Sequence, residues 1–184
     1  MRQVIIGMVG HPASGKSTFA KRLTKELGIS HINKDDIRDF LVENIFEYRD
    51  ADKSYSNEKI SSVNRVVKVA SDELMEELAA RGKSFIIDGY GKIKEQRNEM
   101  KKFFKEKNIL LPVIIVYVVE EREVILKRLK KRDENNATKW VENFLKVWEP
   151  GFSEPIKNEC DLLIKVTKTN VSESIELIRD FINS

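Results

Sequence analysis

The residues best equipped for chemistry stand near the start of the chain. Gly10-His11-Pro12-Ala13-Ser14-Gly15-Lys16-Ser17 satisfies the pattern G-x-x-x-x-G-K-[ST] at every fixed position. Glycines at 10 and 15 let the backbone turn so that successive N–H groups face inward, and a helix beginning at about Ser17 adds its positive end to that anion nest. The pattern predicts a site for a nucleoside triphosphate cradled by Gly10, Ala13, Ser14, Gly15, Lys16, Ser17 and Thr18. Lys16 is placed to reach the β- and γ-phosphates, and Ser17 to give a hydroxyl to Mg²⁺. The plainer reading of the same residues is a glycine-rich turn that caps an ordinary helix.

Three further groups could complete a reaction. In Asn33-Lys34-Asp35-Asp36-Ile37-Arg38, Asp35 and Arg38 are three apart and share one face of a helix. Asp35 could take the proton of an attacking hydroxyl while Arg38 binds an anionic part of the acceptor or orients the carboxylate. Their bland alternative is a helix N-terminus with a surface ion pair. Asp88 ends an apolar run, Ser84-Phe85-Ile86-Ile87, where a carboxylate could hold Mg²⁺, often through a water. Arg128 and Arg132 lie four apart on one helical face and could stabilise a moving phosphoryl group from a mobile lid, with Asp133 to Asn136 as its hinge. Val166-Thr167-Lys168-Thr169-Asn170, after the last apolar run, could pass the adenine ring, with Thr167 as its contact. Arg97 reads either as a residue facing the acceptor or as a solvated helical arginine.

The elements that must position these groups alternate. Strands are expected at Val4 to Val9, Ile29 to Ile32, Ser84 to Ile87, Leu110 to Val119 and Asp161 to Val166. Helices are expected over Ser17 to Leu27, Asn33 to Ile45 with Asn33 as cap and Asp36 as its return partner, Glu58 to Arg81, Lys94 to Lys107, Glu121 to Arg132, Thr138 to Trp148 and Val171 to Ile182. Glu47 to Asn57 reads as a polar loop and Glu149 to Glu159 as an irregular connector. The Val/Ile content of Leu110 to Val119 argues for a parallel strand covered on both faces. The pattern predicts an α/β protein, a three-layer doubly wound domain with five parallel strands and a small helical lid around 125–148. Ligands on such sheets sit at the carboxyl ends of the strands, which directs attention to the residues after Val9, Ile32, Ile87, Val119 and Val166.

Composition narrows the class. At 184 residues the chain is one domain by size, and 41% hydrophobic with 34% charged residues describes a soluble globular protein. No apolar run approaches a membrane span, and Met1-Arg2-Gln3 leads straight into a strand, so a cytoplasmic location without a membrane partner is expected. A single cysteine, Cys160, excludes an internal disulfide and a cysteine-built metal site. Net charge is only +3, so nothing in the whole chain demands nucleic acid. Trp140, Phe144 and Trp148 at helical spacing read as packing residues, and neither His11 nor His31 as a metal ligand.

Taken together, Gly10 to Ser17, the Ile32-Asn33-Lys34-Asp35-Asp36-Ile37-Arg38 stretch and Arg128-Leu129-Lys130-Lys131-Arg132 resemble the P-loop kinases, and most closely the polynucleotide 5′-hydroxyl kinase branch with its small relatives. That resemblance implies a P-loop NTPase fold with ATP and Mg²⁺ held at Lys16 and Ser17, Asp35 as general base, Arg38 on the acceptor, and Arg132 with Arg128 as helper on the transferring phosphoryl. After the third strand the chain departs from that branch. It carries Asp88-Gly89-Tyr90-Gly91, closer to the Asp-Gly-aromatic step of nucleoside monophosphate kinases, yet lacks the Pro-Arg that follows in adenylate kinases. The reading is an ATP- and Mg²⁺-dependent phosphotransferase, a kinase releasing ADP, whose hydroxyl acceptor is a nucleic-acid 5′-end, a nucleoside or nucleotide, or a small metabolite. The alternative, a nucleotide-binding ATPase or switch protein without an acceptor, would leave Asp35 and Arg38 without a task, and no guanine-reading motif follows a late strand.

Overall fold

A computed structural model describes residues 2–45, 57–132 and 137–184. The expected hinge at 133–136 lies outside the described residues. So does the expected loop from Glu47, apart from Asn57, which opens a helix.

Five short β-branched runs form one parallel sheet in the order β2-β3-β1-β4-β5: β1 Ile5–Val9, β2 Ser30–Asn33, β3 Phe85–Asp88, β4 Val113–Val118 and β5 Leu162–Val166. Every residue of β1, β3 and β4 is buried, as the continuous apolar runs require of strands covered on both faces. The strand period of two divides each run between two cores. Ile6 and Met8 of β1 join Phe19, Ala20 and Leu23 of α1 (Lys16–Leu27) and Ile175 and Ile178 of α7 (Val171–Asn183) on one face. Ile5 and Val9 join Met75 of α3 (Asn57–Ala80) and Phe104 of α4 (Lys94–Glu106) on the other. Each such side chain contributes about 1.5–3 kcal/mol on burial, so the sheet is a stiff platform.

Two short helices lie on its rim. α2 (Lys34–Asn44) follows β2 directly and buries no residue, resting on α3 through the small cluster of Ile37, Leu41, Val63 and Val67. α5 (Arg122–Arg132) packs Ile125 and Leu129 against Phe144. The single helix expected from Thr138 to Trp148 is instead α6 (Ala137–Asn143) followed by a π-turn, Phe144–Trp148, in which the Glu149 amide donates to the Phe144 carbonyl at 2.8 Å. A π-turn cannot be read from apolar spacing, because it shifts the helical phase within five residues.

The parallel register aligns the strands' carboxyl ends. Met8 pairs with Asp88, Asn33 also pairs with Asp88, and Val9 pairs with Tyr117. The phosphate loop, the Asp35 helix and Asp88 therefore share one edge.

Candidate active site

The loop after β1 has the conformation its glycines permit. Gly10 (φ 145°), Ala13 (φ 60°) and Gly15 (φ 101°) all have positive φ. A Cβ on Gly10 would stand 2.4 Å from the Val118 carbonyl oxygen, so glycine is required there by close packing as well. Gly15 caps α1 without any side-chain bond, which leaves the first-turn amides open to an anion. Ala13, Ser14, Gly15, Lys16, Ser17 and Thr18 line a cavity of about 770 Å³, together with Arg128 and Thr167. Gly10 lines an adjoining cavity that also holds Lys16. The Lys16 ammonium donates to the His11 carbonyl at 2.7 Å.

Thr167 and Arg128 frame the far end. The Thr167 amide and hydroxyl both donate to Asn170 Oδ1, at 2.8 and 3.2 Å, which fixes the β5–α7 loop. One Arg128 nitrogen donates to the Ala13 carbonyl at 2.9 Å and another pairs with Glu120 Oε2 at 2.9 Å. Lys168 pairs with the other Glu120 oxygen at 3.2 Å. Burial works against the Glu120 charge, but the Glu121 amide, Lys168 and Arg128 outweigh it and hold the carboxyl below the usual range. Glu120 was not singled out from sequence, whereas Lys168 and Asn170 belong to the segment expected to pass the adenine ring. The rule that favours residues beyond the carboxyl end of a strand does point to Glu120, just after Val119. Arg132 closes α5, and its side chain is outside the described residues.

Asp88 ends β3 nearly buried, 7% exposed. Its Oδ2 and Nε2 of His31 are 3.7 Å apart, and both are buried without a hydrogen-bond partner. Burial raises the Asp88 pKa, but His31, Ser17 and Lys16 facing it outweigh burial and keep it below the ordinary carboxylate range. An ionised, orphaned carboxylate oxygen beside the Ser17 hydroxyl fits the inner edge of a Mg²⁺ site. No group of three or more His, Cys, Asp or Glu side chains placed to hold a metal occurs among the described residues. A Mg²⁺ here would take its other ligands from phosphate and water.

On the other side, Asn33 Oδ1 accepts the Asp35 amide at 3.0 Å and starts α2. The return bond expected from Asp36 to the Asn33 amide is not among the hydrogen bonds of the described residues, and the cap consists of the Asp35 amide on Asn33 Oδ1 alone. Arg38 donates to Asp35 Oδ1 at 2.6 Å and to Asn64 Oδ1 at 3.1 Å. The pair is therefore real and is anchored by a residue of α3 that the sequence did not suggest. Arg38 lines a second cavity, about 460 Å³, with Lys34, Lys68, Asp72, Gln96 and the apolar Met100 and Phe103 among its walls. Burial, helped by the neighbouring Lys68, lowers the Lys34 pKa against the pull of Asp72. A third cavity, about 410 Å³, contains Lys16, Gly89, Gly91 and Gln96 and so shares walls with both others.

Arg97 fits neither sequence reading. It is completely buried and clasps Glu159, with its NH2 3.2 Å from Oε1, while its NH1 donates to the Ser153 carbonyl at 3.0 Å. Helical phase alone could not reveal that the irregular connector supplies a buried carboxylate. Trp140 and Trp148 pack around Phe144, as expected of packing residues. Cys160 is half-buried against the α4 side of the core.

Residues 5–155 match the family model described as AAA domain. An adenylate kinase of Thermotoga neapolitana is 31% identical over 134 residues, which covers 67% of this chain and 56% of that protein. The chain thus spans little more than half the length of the first relatives it matches. An adenylate kinase of Mycolicibacterium vanbaalenii is 30% identical over 137 residues, covering 74% of each. A solved candidate kinase from Chloroflexus aurantiacus superposes with a TM-score of 0.74 over 98% of both chains at 16% identity, a likeness of fold. Both of these relatives are adenylate kinases, not polynucleotide kinases. The chain belongs to the AAA domain family and to the P-loop kinase superfamily.

Proposed function

We propose that the chain is an ATP- and Mg²⁺-dependent phosphotransferase acting on a hydroxyl acceptor. One observation carries this: between the nucleotide cavity and the Arg38 cavity stands a third that shares Lys16 with the first and Gly89, Gly91 and Gln96 with the second. A binding or switch protein needs the first cavity only. ATP would lie along Ala13 to Thr18, with its base toward Thr167 and its terminal phosphate toward Lys16. Mg²⁺, bound at Ser17 and Asp88, would neutralise charge on the β- and γ-oxygens.

The chain's own residues do the rest. Lys16 orients the terminal phosphate, Arg38 fixes the acceptor and the Asp35 carboxylate, and Asp35 takes the hydroxyl proton as the oxygen attacks. Arg128, fixed between Ala13 and Glu120, would hold the nucleotide; Arg132 remains the lid cation in this scheme. The segment from 125 to 148 would act as the lid of a single domain, working in the cytoplasm where ATP and Mg²⁺ are supplied.

A second reading is favoured by the adenylate kinase relatives: the acceptor is the phosphate of a nucleoside monophosphate. Such a phosphate is already largely ionised at neutral pH and needs no base. The test is a screen of γ-labelled ATP against nucleosides, nucleoside monophosphates, 5′-hydroxyl oligonucleotides and small alcohols. Label is expected in one class of acceptor. Label released only as inorganic phosphate in every arm would overturn the proposal in favour of an ATPase or switch.

A further inference from the structure

Among the described residues, the junction cavity holds one cation besides Lys16, and it is Lys92. Its position is built from both sides. The Lys92 amide donates to Gln96 Oε1 at 2.9 Å, and its carbonyl accepts the Ser153 amide at 3.1 Å. Its ammonium donates to the Val147 carbonyl at 3.1 Å and lies 5.0 Å from the centre of the Trp148 ring. Val147 belongs to the π-turn, and carbonyls at the carboxyl end of a helical segment attract a cation. Gly151 makes room for the contact, since a Cβ there would stand 2.8 Å from the Val147 oxygen and 3.0 Å from the Lys92 nitrogen. An ammonium has three donors, and Val147 takes one of them.

Arg128 offers a contrast. Its guanidinium is engaged by Ala13 and Glu120, and it lines the nucleotide cavity but not the junction. The stretch of chain after β3 therefore places a second ammonium at the junction, where Arg128 does not reach.

We propose that Lys92 is a catalytic residue contacting the phosphoryl group in transit, and that the π-turn, through Val147 and Trp148, is the positioning element that holds it at the junction. This rests on the phosphotransferase reading. In the step, the bond between the γ-phosphorus and the β,γ-bridging oxygen breaks, and its electron pair leaves on ADP. The acceptor oxygen bonds to phosphorus as its proton passes to Asp35. Lys92 exchanges no proton; its remaining donors face the oxygens of the transferring group, where charge is stabilised more strongly than in the ground state.

The experiment does not need the acceptor. Isothermal titration with ADP and Mg²⁺, with and without aluminium fluoride as mimic of the moving phosphoryl, is run on wild type, Lys92→Met, Lys92→Arg and Trp148→Leu. Lys92→Met is expected to keep ADP affinity within about twofold and to lose about tenfold or more of the affinity for ADP with aluminium fluoride. Lys92→Arg restores part of that loss, and Trp148→Leu shows a smaller loss of the same kind. Unchanged affinity for both probes, equal weakening of both, or a wild type that gains nothing from aluminium fluoride overturns the proposal. Failure of the phosphotransferase reading is a separate result, an acceptor screen with no labelled product, and it is distinguishable because the titration is read without any acceptor.

Discussion

The two sides of the candidate site are built from different materials. On the nucleotide side, recognition is by backbone: a loop with positive φ at Gly10, Ala13 and Gly15 and an uncapped helix N-terminus follow β1, every residue of which is buried. On the acceptor side it is by side chains: α2 buries no residue, the Asp35 side chain is 64% exposed, and its orientation comes from Arg38 and Asn64. Polyphosphate is the same in every such protein and can be met by amides, whose geometry is set once by the loop. An acceptor is particular, so its contacts must be made by side chains that can differ from chain to chain.

The comparison can be broken beneath the loop after β3, where Arg97 donates to the Gly91 carbonyl. Arg97 joins that loop to the connector through Glu159. Arg97→Met should cost about 3–5 kcal/mol in urea unfolding, because it strands a buried carboxylate; a loss below about 1 kcal/mol would deny that the pair is an anchor. The same pair has a pH signature. Burial opposes the Glu159 charge, but Arg97 outweighs burial and holds the carboxyl below its ordinary value. The folded state thus releases that proton more readily than the unfolded chain. Its contribution is complete above the ordinary glutamate pKa of about 4.3 and is lost as pH falls through the lower folded value. Arg97→Met should flatten the acid limb of a stability–pH curve, and an unchanged limb would assign acid unfolding to other carboxylates.

Next in size is the nucleotide side. Lys16→Ala should reduce transfer by about 10²–10³, and full retention in a steady-state assay would undo the phosphate-loop reading. Asp35→Asn should reduce transfer by about a hundredfold while ADP affinity in titration stays unchanged. If a nucleoside monophosphate is the acceptor, that loss should vanish. The smallest effect sharpens the contrast further: Asn33→Ala removes the α2 cap and should cost about 1 kcal/mol, seen in unfolding and in transfer but not in ADP binding.

How much was legible follows the same division. The five strands and the phosphate loop could be read because continuous apolar runs and a glycine pattern are local signals. Asp88, Thr167 and Arg128 could be placed near the site because strand ends and helix phase determine where a residue stands. Asn64, Glu120, Gln96 and Lys92 were missed, since each acts through a partner at a distance or in a loop without periodicity. Arg97 was misread because its partner, Glu159, is 62 residues away.

What the sequence alone determined is the platform and the anion nest, since burial pattern and backbone freedom are properties of short segments. Tertiary structure alone decided which side chains meet across the carboxyl edge: that Arg38 leans on Asn64, that Arg128 turns to Ala13 and Glu120, and that Lys92 enters the junction under the π-turn. Those meetings depend on the strand order β2-β3-β1-β4-β5, which brings distant segments within hydrogen-bond reach, and no local spacing encodes such distances.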